Sequence, residues 1–505
     1  MRRNALADRI GGLLMIGFEG TVPADIPAEL IAGAAGAILF QRNLVDPAQA
    51  RALTDAIRTL QPPAAPPLIA VDQEGGPVSR LAEFGTALPS AMALGATGQP
   101  TLTRDAYRII GEELAALGFN TNFAPVADVN DEIENPVIGA RSFGDEPARV
   151  AKHVAAAIHG LHDAGIAATA KHFPGHGSTR ADSHEELPVL EHDIQRLRAV
   201  ELAPFRAAID ARVDIIMTGH IAFPAVDDSG TAATQSKRLV TDLLRGELGF
   251  DGLVCTDDLN MKAVETGSAA LRALKAGTDL LVVSTTAAAR SGLAALRSAV
   301  DSGELDEAAV EGALARIDRL RRRFTAPAAA NLASIGSAAH RAAALNIARR
   351  AIRVVRDPRR AIPLALSPGK RLLVVNFGAG PKSSARQTSG LSKALSRGAA
   401  RVQEQIREPD PAGHAYKQLL MAATRADAII AVTRSLARHP LQARAIGDLA
   451  MLGKPLVVVA AAEPHDAALA PNDVAVIAAY GDDDSTMQAV AEVLLGDVSA
   501  RAHAR

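Results

Sequence analysis

The chain has 505 residues, a net charge of −2 and a single cysteine. This length exceeds what one hydrophobic core normally serves, so two or three domains are expected. The small net charge gives no electrostatic reason to expect a nucleic acid or a membrane surface as a partner, and one cysteine cannot form an internal disulfide.

The first twenty residues resemble a secretion signal only superficially. Asp8 and Arg9 interrupt the apolar run, and no small-residue cleavage site closes it. The segment is therefore predicted to form a helix followed by a strand. No apolar run in the chain reaches the roughly 20 residues needed to span a bilayer, and a cytoplasmic location is expected.

Eight short apolar runs alternate with longer segments of helical periodicity along the first two-thirds of the chain. Because the runs show little polar alternation, they are expected to be buried on both faces, as in a parallel sheet. Eight such units favour an α/β fold of the (β/α)8 TIM-like barrel type. The alternative, a doubly wound open sheet, would normally carry a nucleotide fingerprint. The predicted strands are residues 13–18, 36–40, 67–72, 120–129, 166–172, 213–220, 252–258 and 278–283.

A Pro-bearing stretch of small residues then divides the chain. We predict a catalytic barrel over residues 1–325, a linker over 326–340 and a smaller C-terminal α/β domain over 341–505. A Gly-x-Gly at 378–380 is followed at once by proline, which predicts a tight turn rather than a nucleotide-binding loop. The strands predicted for the second domain are residues 371–377, 426–433, 455–462 and 474–481.

Ionisable side chains cluster where the predicted barrel strands end. In a parallel barrel these ends form one rim, where catalytic groups gather, so distant parts of the sequence are expected to converge on one mouth. The residues are Asp72 and Arg80 after the third strand, Arg141 after the fourth, Lys171 and His172 on the fifth, His220 on the sixth, and Asp257 and Asp258 on the seventh.

The fifth strand leads into an unusually ionisable segment, KHFPGHGSTRADSHEELP, residues 171–188. Asp182 and His184 are separated there by one residue. A carboxylate that is hydrogen-bonded to an imidazole orients the ring and stabilises its protonated form, so the pair is predicted to act as a general acid and base. A surface loop with an incidental Asp-x-His is one alternative, and a metal site is another. The metal ligands would be His172, His176, His184, Asp182 and His220.

The seventh strand ends in two consecutive carboxylates. Asp257 is expected to project into the mouth, while its neighbour Asp258 caps the next helix. Cys255 is expected to pack inside this strand rather than to act as a nucleophile.

Several segments resemble glycoside hydrolase family 3, and within it the bacterial β-N-acetylglucosaminidases of cell-wall recycling. They are VDQEGGPVSRL, NFAPVADV followed by NPVIGARSFG, KHFPGHGSTRADSH and VCTDDLNM. The resemblance is strong over residues 1–325 and looser in the second domain. It implies a retaining hydrolase that acts on a small saccharide and needs no metal or organic cofactor.

The resemblance also implies residue roles. Asp257 matches the nucleophile that forms a covalent glycosyl-enzyme intermediate, His184 matches the acid/base, and Asp182 matches its orienting partner. The positions that match those gripping the terminal sugar are Asp72, Arg80, Arg141, Lys171 and His172.

Other readings stay open beside an exo-β-N-acetylglucosaminidase. His184 replaces the second carboxylate that glycosidases usually have, so the site is less negative and repels an anionic acceptor such as phosphate less. A phosphorylase is therefore one alternative. Another family 3 glycosidase, such as a β-glucosidase, and a non-catalytic sugar-binding protein are further alternatives. The chain has no Trp on which to stack a long glycan, which favours a pocket for one terminal sugar.

Overall fold

The computed structural model describes residues 2–264, 266–325, 331–378, 388–398, 401–498 and 501–502. Eight strands run in chain order around a parallel barrel. The ring closes where the Thr256 amide donates to the Leu280 carbonyl at 3.0 Å. The predicted barrel is confirmed, and each of its strands lies within a predicted run except β5, which extends one residue beyond its run. The strands are β1 Leu14–Ile16, β2 Gly36–Leu39, β3 Leu68–Val71, β4 Thr121–Asn122, β5 Ala167–Phe173, β6 Ile215–Thr218, β7 Leu253–Thr256 and β8 Leu281–Val283.

Helices cover the outside of the barrel. The N-terminal segment forms a helix that leads into β1, as predicted, and Asp46 caps α3 by accepting from the Gln49 amide at 2.9 Å. No helix in the described part of the chain has the length and apolar character to cross a membrane. The helices are α1 Arg2–Arg9, α2 Ala28–Ile31, α3 Pro47–Thr59, α4 Ala91–Thr97, α5 Pro100–Ala116, α6 Pro147–Asp163, α7 Ile194–Ala199, α8 Leu202–Asp210, a π-helix Arg238–Glu247, α9 Thr266–Ala276, α10 Thr286–Asp301 and α11 Glu307–Arg323.

Strand β4 is much shorter than the run that predicted it. Pro125 has no amide hydrogen to donate to a ladder, so regular pairing stops before it. Asn122 compensates with its side chain, which accepts from the Gln73 amide at 2.9 Å and donates to the Gln73 carbonyl at 2.8 Å. These bonds fix the start of the loop that follows β3.

The C-terminal domain contains a seven-stranded sheet in the order β11-β10-β12-β13-β14-β9-β15. Strand β9 runs antiparallel to β14. The strands are β9 Arg353–Arg356, β10 Arg371–Phe377, β11 Arg401–Arg407, β12 Ala428–Thr433, β13 Leu456–Ala460, β14 Ala475–Ala478 and β15 Arg501–Ala502. The helices are α12 Ala338–Ala351, α13 Thr388–Leu395, α14 Gly413–Arg425, α15 Pro440–Ala450, α16 Asp466–Leu469 and α17 Asp484–Leu495.

Three of these strands, β9, β11 and β15, were not predicted. Strands β9 and β11 carry charged residues at both ends, and only two of the seven residues of β11, Val402 and Ile406, are apolar. A search for apolar runs passes over such strands. Residues 326–330 of the predicted linker and 379–381 of the predicted glycine turn lie outside the described residues. The last three residues assigned to the linker, 338–340, belong to α12.

The two domains pack through a small apolar cluster. It consists of Met92, Ala93, Ala140, Ala351, Ala478 and Tyr480. The Ser485 hydroxyl also donates to the Ala87 carbonyl at 3.0 Å. The second domain therefore rests on α4 and on the loop after β4.

Gly36 provides a test of barrel packing. A Cβ added at Gly36 would lie 1.8 Å from the Leu68 carbonyl oxygen, whereas one added at Gly33 would have no atom within 4 Å. We expect Gly36→Ala to lower the free energy of unfolding by about 1–3 kcal/mol or more, because β2 and β3 must separate. Gly33→Ala is the control and should change it by less than about 0.5 kcal/mol. Urea denaturation measures both, and equal stabilities would contradict the strand register.

Candidate active site

A cavity of about 380 Å3 opens where the barrel strands end. Residues on or just after strands β2 to β8 line it. The predicted residues that line it are Asp72, Arg80, Arg141, Lys171, His172, His184 and Asp257. Asp182 is not among the residues that line the cavity, but it is hydrogen-bonded to His184. The structure therefore brings the predicted positions from separate segments of sequence to one mouth.

A buried carboxylate organises the cationic wall of this cavity. Glu74, whose side chain is 2% exposed, pairs with the Arg141 guanidinium through two hydrogen bonds of 2.9 Å. The Lys171 ammonium lies 2.7 Å from both Glu74 Oε1 and Asp72 Oδ1. Burial raises the pKa of Glu74, but Arg141 and Lys171 outweigh it and hold that pKa well below its usual range. Glu74 is therefore a carboxylate at neutral pH, held between the Arg141 and Lys171 cations.

Asp128 orients the His172 ring. One carboxylate oxygen accepts from His172 Nδ1 at 2.8 Å, and the other accepts from the backbone amides of His172 and His176. Asp128 is fully buried. Its hydrogen bond with Nδ1 leaves Nε2 of His172 directed away from Asp128, with no hydrogen bond to a described residue.

The loop after β5 is anchored by one histidine and presents another. His176 is 1% exposed, and its ring nitrogens lie 2.8 Å from the Thr179 hydroxyl and 2.9 Å from the Ser183 hydroxyl. The His184 side chain is 60% exposed, and its Nδ1 lies 2.7 Å from Asp182 Oδ1. The same oxygen accepts from the His184 amide at 2.8 Å. Burial raises the pKa of Asp182, but these bonds from His184 lower it overall.

Asp257 stands at the end of β7 with one oxygen engaged. Its Oδ1 accepts from the Asp258 amide at 2.8 Å, and Oδ2 has no hydrogen bond to a described residue. Burial raises the pKa of Asp257, but His172, His220, the Asp258 amide and Lys171 bring it down to about 2. Asp257 is therefore a carboxylate at neutral pH.

Asp258 caps a turn rather than a helix. Its Oδ1 accepts from the amides of Asn260 and Ser284, both at 3.0 Å, and α9 begins only at Thr266. One acid of the pair thus faces the cavity while the other satisfies backbone amides. Cys255 is fully buried in β7, which confirms its predicted packing role, and burial raises its thiol pKa.

Arg80 enters the cavity from the loop after β3. Its backbone amide donates to Gln73 Oε1 at 2.7 Å. Its Nε is buried and has no hydrogen-bond partner among the described residues. A buried guanidinium nitrogen without a partner is well suited to a ligand oxygen.

Two of the four histidines considered as metal ligands have both ring nitrogens engaged by other bonds. Both ring nitrogens of His176 and of His220 have protein partners, and His220 lies 3.0 Å from the Thr234 hydroxyl and 3.2 Å from the Asp258 carbonyl. Within the described ranges, no group of three or more His, Cys, Asp or Glu has an arrangement that would hold a metal ion. These contacts favour the acid/base reading of the loop.

Sequence reasoning missed the residues that hold the others in place. Glu74 was within the quoted VDQEGGPVSRL and Asp128 within NFAPVADV, but neither was assigned a role. The available signal was a carboxylate in or just after a buried strand run, which must find a partner. The partners themselves could not be read from the sequence.

His176 provides a test of the anchored loop. Burial and the neighbouring His172 lower the pKa of His176 to about 4, so between pH 6.5 and 4 the unfolded chain binds this proton and the folded chain does not. Stability is therefore lost on acidification through that window. We expect His176→Gln to flatten the fall in unfolding free energy by up to about 1.4 kcal/mol per pH unit. Urea titrations at several pH values measure this, with the exposed His159→Gln as control. An unchanged slope would show that His176 is not held neutral.

Comparisons with known proteins identify the family of the chain. The model for the glycosyl hydrolase family 3 N-terminal domain matches residues 5–320. The chain is 34% identical over 372 residues to Beta-hexosaminidase A of Pseudoalteromonas piscicida, a match covering 67% of the chain and 62% of that relative, less than two-thirds of its length. It is 41% identical over 268 residues to a Beta-hexosaminidase of Pseudomonas aeruginosa LESB58, covering 52% of the chain and 79% of the relative.

A solved structure matches nearly the whole chain. The glycoside hydrolase family 3 beta-N-acetylglucosaminidase from Paenibacillus sp. str. FPU-7 has a TM-score of 0.91 and 37% identity, and the match covers 98% of this chain and 97% of that one. Together with the family model, these matches establish that the chain belongs to glycoside hydrolase family 3.

Proposed function

We propose that this chain is a retaining exo-β-N-acetylglucosaminidase that removes a terminal N-acetylglucosamine from cell-wall-derived saccharides. One observation carries the proposal: an ionised carboxylate, Asp257, and an imidazole with its own carboxylate partner, His184, line the same cavity. The names of the two relatives, and that of the Paenibacillus enzyme, support the sugar class. A cytoplasmic location and a role in peptidoglycan recycling belong to the same proposal.

Asp257 is proposed as the nucleophile. Its hydrogen bond with the Asp258 amide fixes Oδ1 and leaves Oδ2 to attack the anomeric carbon. A pKa of about 2 keeps it ionised, as a glycosyl-enzyme intermediate requires. Water then displaces the carboxylate from the same face that the leaving group vacated, which retains the configuration.

His184 is proposed as the acid/base. Asp182 holds Nδ1 and stabilises the imidazolium, while Nε2 has no hydrogen bond to a described residue. In the first step Nε2 donates its proton to the glycosidic oxygen. In the second step Nε2 accepts a proton from the attacking water.

The remaining polar groups are proposed to bind the hydroxyls of the terminal sugar. Asp72 offers an acceptor oxygen, Arg80 Nε and Lys171 offer donors, and His172 Nε2 completes the set. A cavity of about 380 Å3 is near the lower end of small-molecule sites, which suits one sugar and therefore exo-action.

A phosphorylase is the second candidate. The acid/base position is a histidine, so no second carboxylate repels an incoming phosphate, and Arg80 and Lys171 supply positive charge nearby. Accumulation of N-acetylglucosamine 1-phosphate in phosphate buffer, with little free sugar, would favour this candidate over the hydrolase.

Replacement of the nucleophile tests the central assignment. We expect Asp257→Ala to lower kcat on 4-nitrophenyl N-acetyl-β-glucosaminide by roughly 10^4-fold or more, because no covalent intermediate can form. The wild-type product should emerge as the β anomer in an NMR time course. Turnover within tenfold of wild type by a folded Asp257→Ala protein would exclude this role, and faster cleavage of β-glucosides would correct the sugar class.

Replacement of the acid separates its role from general damage. We expect His184→Ala to slow substrates with poor leaving groups about 10^2-fold more than activated aryl glycosides, which need little protonation. Asp182→Asn should act in the same direction but more weakly, because it disturbs the ring without removing it. A series of aryl glycosides of differing leaving-group pKa gives the comparison. Equal losses across the series would contradict the acid role.

A further inference from the structure

A second cavity, of about 390 Å3, lies at the seam between the two domains. It shares no lining residue with the sugar cavity. Its barrel wall includes Asn130, Phe143 and Arg149, and its opposite wall includes Arg353, His465 and Tyr480. The glycosidase reaction proposed above uses none of these residues.

Polar groups on both walls lack hydrogen-bond partners among the described residues. Tyr480 is 7% exposed, and its hydroxyl has no partner. Asn130 is 1% exposed; its Oδ1 accepts from the Gly139 amide at 3.0 Å, but its Nδ2 is buried and unpartnered. The His465 ring also lacks a partner. Asn130 Nδ2 is fully buried, and native proteins rarely leave a buried donor unpaired, so this amide points to a bound molecule with acceptor atoms.

Positive charge dominates the same walls. Arg149 has one acidic neighbour among the described residues, Asp145, at 3.7 Å, which is too long for a hydrogen bond. Arg353 adds a second guanidinium, which donates to carbonyls such as that of Ala96 at 3.0 Å. Arg149 and Arg353 line the same cavity as Tyr480, and both oppose the rise that burial causes in the pKa of Tyr480. Two cations beside one carboxylate favour an anionic occupant.

We propose that this cavity binds a small organic anion whose phosphate or carboxylate group is held by Arg149, Tyr480 and Asn130. Guanidinium groups bind both kinds of oxyanion through paired hydrogen bonds. Met92 and Phe143 provide an apolar surface for the rest of the molecule. The cavity is larger than a bare phosphate requires and has room for a body of about monosaccharide size.

A ligand here would bridge the domains. Asn130 and Arg149 belong to the barrel, Tyr480 belongs to the second domain, and Asn130 is bonded to the loop that carries Arg141. A molecule that binds only the folded, assembled chain raises its thermal stability by mass action. Binding is therefore measurable without reference to glycosidase activity.

The experiment titrates the full chain with inorganic phosphate, glucose 6-phosphate and glucuronate at constant ionic strength, using calorimetry and thermal melting. We expect saturable binding and a raised Tm with at least one of them, and the three probes distinguish free phosphate, a sugar phosphate and a sugar carboxylate. Arg149→Ala should weaken binding about 10- to 100-fold and Tyr480→Phe about 3- to 10-fold. Lys152→Ala, which removes an exposed charge further along α6, should not alter the affinity. Asp257→Ala should bind like wild type, so failure of the glycosidase assignment leaves this result readable.

Three outcomes would overturn the proposal. The first is no saturable binding of any of the three anions. The second is binding that survives Arg149→Ala but is lost in Arg80→Ala, which would place the anion in the barrel mouth. The third is equal weakening by Arg149→Ala and Lys152→Ala, which would indicate a diffuse electrostatic effect and not a site.

Discussion

The buried charge of Glu74 is the constraint on which the cationic wall of the cavity depends. Removing a carboxylate from water costs several kcal/mol, and this cost is met only if its partners are close and well aligned. Arg141, in the loop after β4, and Lys171, on β5, are therefore drawn to the same carboxylate. Lys171 also reaches Asp72, whose second oxygen then remains for a ligand. The same ion pairs therefore satisfy the buried charge and fix the positions of the side chains that face the cavity.

The loop after β4 connects this wall to other parts of the molecule. Asn135 Nδ2 donates to the carbonyls of His176 at 2.9 Å and Gly177 at 3.0 Å, which ties it to the segment that carries His184. Four residues further on, Gly139 has φ +44, and a Cβ there would lie 2.7 Å from Oε1 of Glu463 in the second domain. A side chain at that position would displace the Glu463 carboxylate. One loop thus contacts the segment that carries His184, the cationic wall and the C-terminal domain.

The sequence predicted the barrel and the rim residues because both follow from local patterns. Strands buried on two faces appear as apolar runs, and residues directly after them, such as Asp72 and Asp257, must lie at the mouth of a parallel barrel. Partnerships do not follow from local patterns. Nothing in the spacing shows that Glu74 meets Arg141 or that Asp128 meets His172, because these pairs form only when neighbouring strands close. The edge strand β11 was missed for a different reason, since its sequence, RVQEQIR, is mostly polar and carries no apolar run.

The two histidines of the loop after β5 differ in what they contact: His176 holds the loop in place, and His184 faces the cavity. His176 has both ring nitrogens bonded and a pKa lowered to about 4 by burial and by His172, so it holds the loop as a neutral group. His184 has one nitrogen bonded and the other open, as a proton donor requires. Asp257, the proposed nucleophile, lies instead directly after a strand, where one of its oxygens is held by the Asp258 amide. This division suits a glycosidase, because the sugar carbon has one fixed position while leaving groups differ in size. A proton donor on a polar loop can meet each of them, and a bound saccharide would then cover the exposed His184 ring and strengthen its hydrogen bond to the leaving oxygen by excluding water.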